Sequence, residues 1–344
     1  MRINEFKEYL NSNDIDYALF SSNNIDNLDY NFLYFSGFDT GILLIDKNNA
    51  KLFVSEMEYP RAIKESRIKN IIPVKNSVFE HISKIKAKKV GLNYDKISLK
   101  SKSNISKYIK KVKFVDISNE CDELRSIKTK DEINYIKKAC NYTDKIYDNI
   151  LSNFNFKTEL ELYNNILSLI RDYGLNESFS PIVANAKNSG IAHSNASKNK
   201  LRKGFLVLDF GVKYKNYCSD LTRTVYIGKP SKKEIDDYNL VLDSQLKAID
   251  MLECDKNVSE IDNFIRKKLG KRFIHSSGHG IGLRIHESPS ISFKSKEIFK
   301  ENMIFTIEPG VYSNKYGIRI EDDLLLRKDK IEILTKSNKE LNGI

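Results

Sequence analysis

The sequence predicts a two-domain protein of mixed α/β (α+β) class, with a small α/β domain over residues 1–122 followed by a larger domain over residues 123–344. Three observations carry this. A chain of 344 residues exceeds one ordinary core. The hydrophobic pattern changes at Leu124, from short strand and helix runs to long amphipathic helices. In the second part the order helix, helix, hairpin occurs twice, which predicts an internal duplication about a pseudo-twofold axis.

In chain order, the first part opens on an amphipathic stretch. It then carries apolar strand runs at Gly41-Ile-Leu-Leu-Ile45 and Lys51-Leu-Phe-Val54, with helical stretches near 60–66 and 98–111. It holds no catalytic motif. Leu124-Arg-Ser-Ile-Lys-Thr-Lys-Asp-Glu-Ile133 introduces helical periodicity, with Thr129 as N-cap and Glu132 three residues on. Helices are predicted over 130–152 and 158–173, the second stopped by Gly174. Strands 205–212 and 219–227 flank the polar turn Lys213-Tyr-Lys-Asn-Tyr217. Helices over 231–252 and 258–269 follow, and then a second hairpin, 303–312 and 318–326, around Ser313-Asn-Lys-Tyr-Gly317.

Composition narrows the function. Hydrophobic residues make up 40% and charged residues 30%, and no apolar run approaches the roughly 18 residues of a membrane helix. The N-terminus lacks the apolar core of a signal peptide, so the expected setting is the cytoplasm. Four scattered cysteines without a CxxC pair argue against a disulfide framework or a structural zinc site. The net charge of +11 is spread along the chain and interleaved with acids, which reads as a solvated surface rather than a nucleic-acid footprint.

The two hairpins carry the chemistry. Asp209 lies in Val207-Leu-Asp-Phe-Gly211, where a carboxylate among Leu, Val and Phe is costly unless something neutralises it. Taken alone, it reads as well as an acid capping a turn. Asp220, Glu308 and Glu321 repeat the anomaly in other apolar strands. The pairs Asp209 with Asp220 and Glu308 with Glu321 are each symmetric about a turn, so cross-strand neighbours are expected to face one another. Four such acids with a histidine make an oxygen-rich set fit for two divalent ions. The chain has five histidines, and three fall in His275-Ser-Ser-Gly-His-Gly-Ile-Gly-Leu-Arg-Ile-His286. The glycines there do not form GxGxxG after a strand, which excludes a dinucleotide fingerprint; they are expected to let backbone approach a ligand. Asp-Phe-Gly is not accompanied by the glycine-rich loop of a kinase.

These motifs resemble the pita-bread metallopeptidase superfamily, which includes prolidase, aminopeptidase P, methionine aminopeptidase and the metal-free creatinase. The matching stretches are Ser178-Phe-Ser-Pro-Ile-Val183 with His193, Leu208-Asp-Phe-Gly211, Ser219-Asp-Leu-Thr-Arg-Thr224, Gly278-His-Gly-Ile-Gly-Leu283 with His286-Glu287, Ile307-Glu-Pro-Gly310 and Gly317-Ile-Arg-Ile-Glu-Asp322. The first domain is similar to the creatinase-type N-terminal domain through Phe32-Leu-Tyr-Phe-Ser-Gly-Phe38. Ala186 and Ala192 stand where relatives often have Gly and Pro, and the chain has no tryptophan.

The resemblance implies a dinuclear centre, with manganese or cobalt ahead of zinc or iron. Asp209 would chelate one ion and His279 and Glu308 the other, with Asp220 and Glu321 bridging. A hydroxide shared by the ions would be the nucleophile and Glu308 the proton shuttle. His193 and His286 would hydrogen-bond substrate and tetrahedral intermediate, and His275 with Arg319 would hold the substrate beyond the scissile bond. The implied activity is hydrolysis of Xaa-Pro bonds at the N-terminus of di- or oligopeptides. Expected partners are therefore peptides with proline second and another copy of the chain in a homodimer, with neither nucleic acid nor membrane. The rivals are a methionine aminopeptidase, which shares the five ligands but in its bacterial type lacks such a leading domain, and a catalytically inactive binding module, whose ligand positions would have degenerated.

Overall fold

Apolar residues without alternation predict strands buried on both faces, and the central strands of the N-terminal sheet are of this kind. The computed structural model describes residues 2–22, 28–75, 81–83, 86–341 and 343–344, which fall into two compact units, Met1–Arg125 and Ser126–Ile344. In the first, β1 (Tyr17–Ser22), β2 (Gly41–Ile45), β3 (Ala50–Ser55), β4 (Asn70–Val74), β5 (Lys89–Leu92) and β6 (Lys113–Asp116) form a mixed sheet of order β4-β3-β2-β1-β5-β6 among the described residues. Leu19, Ile42, Leu44, Phe53 and Val90 pack in one layer. Phe20, the neighbour of Leu19 along β1, instead meets Phe6 and Phe35.

The expected helices of this unit are present as Tyr59–Glu65 and Leu99–Tyr108. The second ends three residues early, because Ile109 turns extended and Lys111 takes a positive φ of 59°. Phe32–Phe38 is mostly a buried helix, Tyr30–Ser36, capped by Asp29 and ended by Gly37 at φ 66°. A helix buried on all sides has no polar face, so its sequence shows no helical period. The division between the units falls at the end of the helix Ser118–Ser126, whose Arg125 donates to Asn31 Oδ1 at 2.7 Å.

The second unit repeats one plan. Helix Lys130–Ser152 begins at Thr129 with a reciprocal capping box to Glu132, as the sequence predicts, and helix Glu159–Asp172 follows. Next come β7 (Asn176–Glu177), β8 (Ile182–Asn185), β9 (Gly204–Phe210), β10 (Val212–Tyr214), β11 (Tyr217–Cys218) and β12 (Leu221–Ile227). The second helix pair, Lys232–Asp250 and Ser259–Leu269, leads to β13 (Gly278–Gly280), β14 (Glu287–Ile291), β15 (Ile304–Ile307), β16 (Gly310–Tyr312), β17 (Gly317–Arg319), β18 (Asp322–Leu326) and β19 (Ile331–Ile333). Each half has its own core. Ile146, Ile150, Leu162 and Ile166 cover Leu206 and Leu208, while Val241, Ile261 and Ile265 cover Phe305 and Ile307.

Both hairpins are interrupted where the acids lie. The ladder β9–β12 breaks before β10–β11, and β15–β18 breaks before β16–β17. Of the four acids Asp209 alone lies within a strand; Asp220, Glu308 and Glu321 occupy junctions, which corrects their expected placement in apolar strands. The register corrects a second expectation. Asp209 is paired with Thr222, not Asp220, because the turn is a two-residue one with Lys215 and Asn216 at φ 52° and 71°. In the second hairpin the pairs Ile307 with Asp322 and Gly310 with Arg319 do place Glu308 across from Glu321. Among the described residues no helix is long and apolar enough to cross a membrane.

Candidate metal centre

Four acids spread over two hairpins can act together only if the hairpins dock, and threonines at alternate positions of β12 dock them. Thr222 O accepts Glu321 N–H at 3.1 Å, and Thr222 Oγ1 donates to Glu321 Oε2 at 2.7 Å. Thr224 Oγ1 donates to Arg319 O at 2.8 Å and accepts Arg319 N–H at 3.1 Å. Behind this seam, buried Arg223 pairs with Asp322 at 2.6 Å and also donates to Glu321 O, fixing the backbone that presents Glu321.

The seam floors a cavity of about 540 Å³. Asp209, Asp220, His279, Glu308 and Glu321 all line it, together with His193, His275, His286 and Arg319. The structure therefore brings every predicted site residue to one cavity. Ligand atoms of Asp220, His279 and Glu321 lie within 4.8 Å of one another. His279 Nε2 is 3.6 Å from both Asp220 Oδ2 and Glu308 Oε1. Its Nδ1 faces Gly280 O at 3.2 Å, so the tautomer with the proton on Nδ1 leaves the Nε2 lone pair for a cation.

The electrostatics call for positive charge. Burial, with repulsion from Glu321 and Asp209, drives the Asp220 carboxyl well above the usual range, and burial with Glu321 does the same to Glu308. Burial and then Asp209 push Glu321 up to about 7. His279 is held down to about 3 and His275 to about 4, chiefly by burial. The buried Oδ1 atoms of Asp209 and Asp220 have no hydrogen-bond partner. Orphaned carboxylate oxygens beside a neutral imidazole fit hard divalent cations.

Other side chains are already engaged by the protein. The Arg319 guanidinium donates to Asp209 Oδ2, to Thr222 Oγ1 at 3.1 Å, to Tyr312 Oη at 2.8 Å and to Ala192 O at 3.2 Å. His275 meets Tyr312 Oη through Nε2 at 2.8 Å and Ser276 O through Nδ1 at 2.7 Å. Of these bonds one, from Arg319 to Asp209, reaches the acid set, and both side chains line the cavity. His193 and His286 are the exposed histidines, and the His286 ring lies 4.3 Å from that of His279.

The glycines flanking His279 serve a different purpose from the expected one. A Cβ on Gly278 would lie 2.0 Å from Thr306 O and one on Gly280 2.0 Å from Ser288 O, so they admit neighbouring strands, not a ligand. Sequence reasoning passed over Thr222, Thr306, Tyr312 and Asp323. Thr306 Oγ1 accepts His279 N–H at 3.2 Å, and Asp323 Oδ2 accepts Asp220 N–H at 2.8 Å. The spacing Asp220, Thr222, Thr224 was a readable signal, because alternate strand residues share a face. Tyr312 carried none, since its partners come together only in the folded chain.

Two family models cover most of the chain. Residues 134–328 match the model of Metallopeptidase family M24, and residues 2–127 that of the Creatinase/Prolidase N-terminal domain. The Xaa-Pro dipeptidase of Pyrococcus furiosus is 33% identical over 99% of each chain. Two solved structures superpose on nearly the whole chain. An Xaa-Pro dipeptidase from Bacillus anthracis has a TM-score of 0.92 at 32% identity, with 99% of each chain covered. An X-Pro aminopeptidase from Thermotoga maritima has a TM-score of 0.87 at 32% identity, covering 96% of this chain and 98% of that one. With more than half its length matched by the catalytic model and a relative at this identity spanning all of it, the chain belongs to metallopeptidase family M24.

Proposed function

We propose that the protein hydrolyses the bond between an N-terminal residue and a following proline in di- or oligopeptides. The observation that carries this is the convergence of Asp209, Asp220, His279, Glu308 and Glu321 on one cavity with two exposed histidines, in a chain whose relatives are named Xaa-Pro dipeptidase and X-Pro aminopeptidase. The five residues would hold two divalent ions, Asp220 and Glu321 shared between them. Ions of that kind, when bound, lower the pKa of water and polarise the scissile carbonyl.

The chain's own groups do the rest. Glu308 would take up a proton from the attacking water at a carboxylate oxygen and pass it to the leaving nitrogen. A proline nitrogen bears no N–H and its ring fixes φ near −65°, so this delivery and a shaped wall can select a rigid turn. His193 and His286 supply donors to the substrate, and Arg319 with Tyr312 and His275 orients Asp209 and the cavity wall. The proposed setting is a cytoplasmic homodimer.

A rate series with manganese on Xaa-Pro, Xaa-Pro-Xaa and Met-Ala-Xaa peptides tests the reading. Proline substrates are expected to be cleaved at least about 100-fold faster than the alanine series. Equal rates on Met-Ala-Xaa would replace it with a methionine aminopeptidase. Absence of hydrolysis with any divalent metal would favour a binding module.

A further inference from the structure

Buried ion pairs are uncommon because two charges must leave water, and the cavity wall contains one whose lysine comes from outside the site's own strands. Lys128 lies in the short segment before helix Lys130–Ser152. Its N–H donates to Asn302 O at 2.9 Å and Ile127 bridges Met303, so this segment runs beside the approach to β15. The side chain is buried, with Nζ 3.1 Å from Glu287 Oε1 and 3.1 Å from Ser126 O. Glu287 directly follows His286, opens β14 and lines the cavity.

The loop between the strand of His279 and Glu287 is folded round this carboxylate. Arg284 N–H points to Glu287 Oε2 at 3.5 Å, and a Cβ on Gly282 would come 2.1 Å from Oε1. Gly282 O accepts Cys218 N–H at 2.8 Å, tying the loop to the chain just before Asp220. The exposed His286 ring therefore stands on a backbone whose far side is anchored by one buried carboxylate.

We infer that Lys128 and Glu287 are a positioning pair that sets His286 against the substrate. The inference rests on the proposed substrate-facing role of His286. Removing the ammonium takes away a buried cation 3.1 Å from Glu287 Oε1 and loosens the carboxylate round which the loop is folded, and the adjoining His286 moves with it. A displacement of about 1 Å is enough to cost a rate on the order of 100-fold.

The test uses the full manganese-loaded chain and Ala-Pro, comparing Lys128→Met, His286→Ala and the double variant. Lys128→Met is expected to lower kcat by about 30-fold while the manganese Kd changes by less than about threefold. Its His286 imidazole NMR signals, recorded with diamagnetic zinc in place of manganese, should move and those of His193 should not. The double variant should be no more than about threefold slower than His286→Ala, since both losses pass through one imidazole. Lys128→Met/Glu287→Gln, which removes both charges of the pair, is read the same way if the single variant does not fold. A loss below about threefold in Lys128→Met, or losses that multiply in the double variant, overturns the pair's role. Wild-type rates in His286→Ala would instead overturn the reading of His286 on which the inference rests.

Discussion

Asp209 stands inside a strand of Leu, Val and Phe, and the sequence shows that anomaly without showing its remedy. Half of the remedy is Arg319, 110 residues away, whose guanidinium meets one oxygen while the other is left without a partner. The resemblance implies for Arg319 a hold on the substrate, and the residue does line the cavity with the four acids. Its bond to Asp209 fits a support for that carboxylate as well, and no local pattern distinguishes the two. The roles predict different kinetics. Arg319→Ala should lower kcat by about 100-fold with KM changed less than about threefold, and should weaken metal binding, because a buried carboxylate loses its fork-shaped partner. Arg319→Lys should not rescue, since an ammonium cannot engage Asp209, Thr222 and Tyr312 together. A raised KM with unchanged kcat and metal affinity would restore the substrate role.

Among the elements, helix starts and the second hairpin were legible, and the first hairpin was misread by one residue on each strand. The capping box at Thr129 is a purely local signal, so its reading survives folding. Symmetry of the acids about the turn is not such a signal. The second hairpin obeys it because residues 313–316 make a four-residue loop, whereas the first closes tightly on Lys215 and Asn216, and lysine at positive φ announces nothing in a sequence. The short strand β13 shows how an element can serve a site through what it lacks. It lies between β14 and β15 with His279 at its centre, and Gly278 meets the Thr306 carbonyl so closely that no side chain fits. Gly278→Ala should therefore cost about 2 kcal/mol of stability by overpacking and also weaken manganese binding by moving His279. Gly174→Ala is the control, at φ 68° with open space round it, and should cost about 1 kcal/mol while leaving metal affinity intact. Calorimetric titration with thermal unfolding reads both, and an unchanged metal affinity in Gly278→Ala would refute the packing argument.

On the scale of the whole molecule, the two halves of the second unit each contribute acids to one cavity, and this sets how stability depends on pH. Buried acids and buried histidines act in opposite senses. An acid whose folded pKa is raised, such as Glu321 at about 7, contributes stability that is complete below its unfolded value and is lost as pH rises through the folded one. Asp220 and Glu308, driven up by burial and by Glu321, act in the same sense. His279 and His275, held down to about 3 and 4 by burial, contribute stability that is lost only as pH falls from about 6.5 toward those values. Above about pH 6.5 the histidines are neutral in both states, and the acids alone decide the slope. The metal-free protein should accordingly lose thermal stability between about pH 6.5 and pH 8. Divalent ions reverse the argument, because they bind the deprotonated carboxylates and so gain affinity over the same interval. At a free concentration of about 100 times Kd they would add about 2.7 kcal/mol, a shift of several degrees in Tm. The manganese-induced rise in Tm should then be larger at pH 8 than at pH 6.5, chelation should abolish it, and activity should fall steeply below about pH 6 as protons displace the ions. Thermal scans at the two pH values, with and without manganese, decide the matter: a metal-free Tm that rises between them, or a manganese shift equal at both, would show that these five residues do not form the centre.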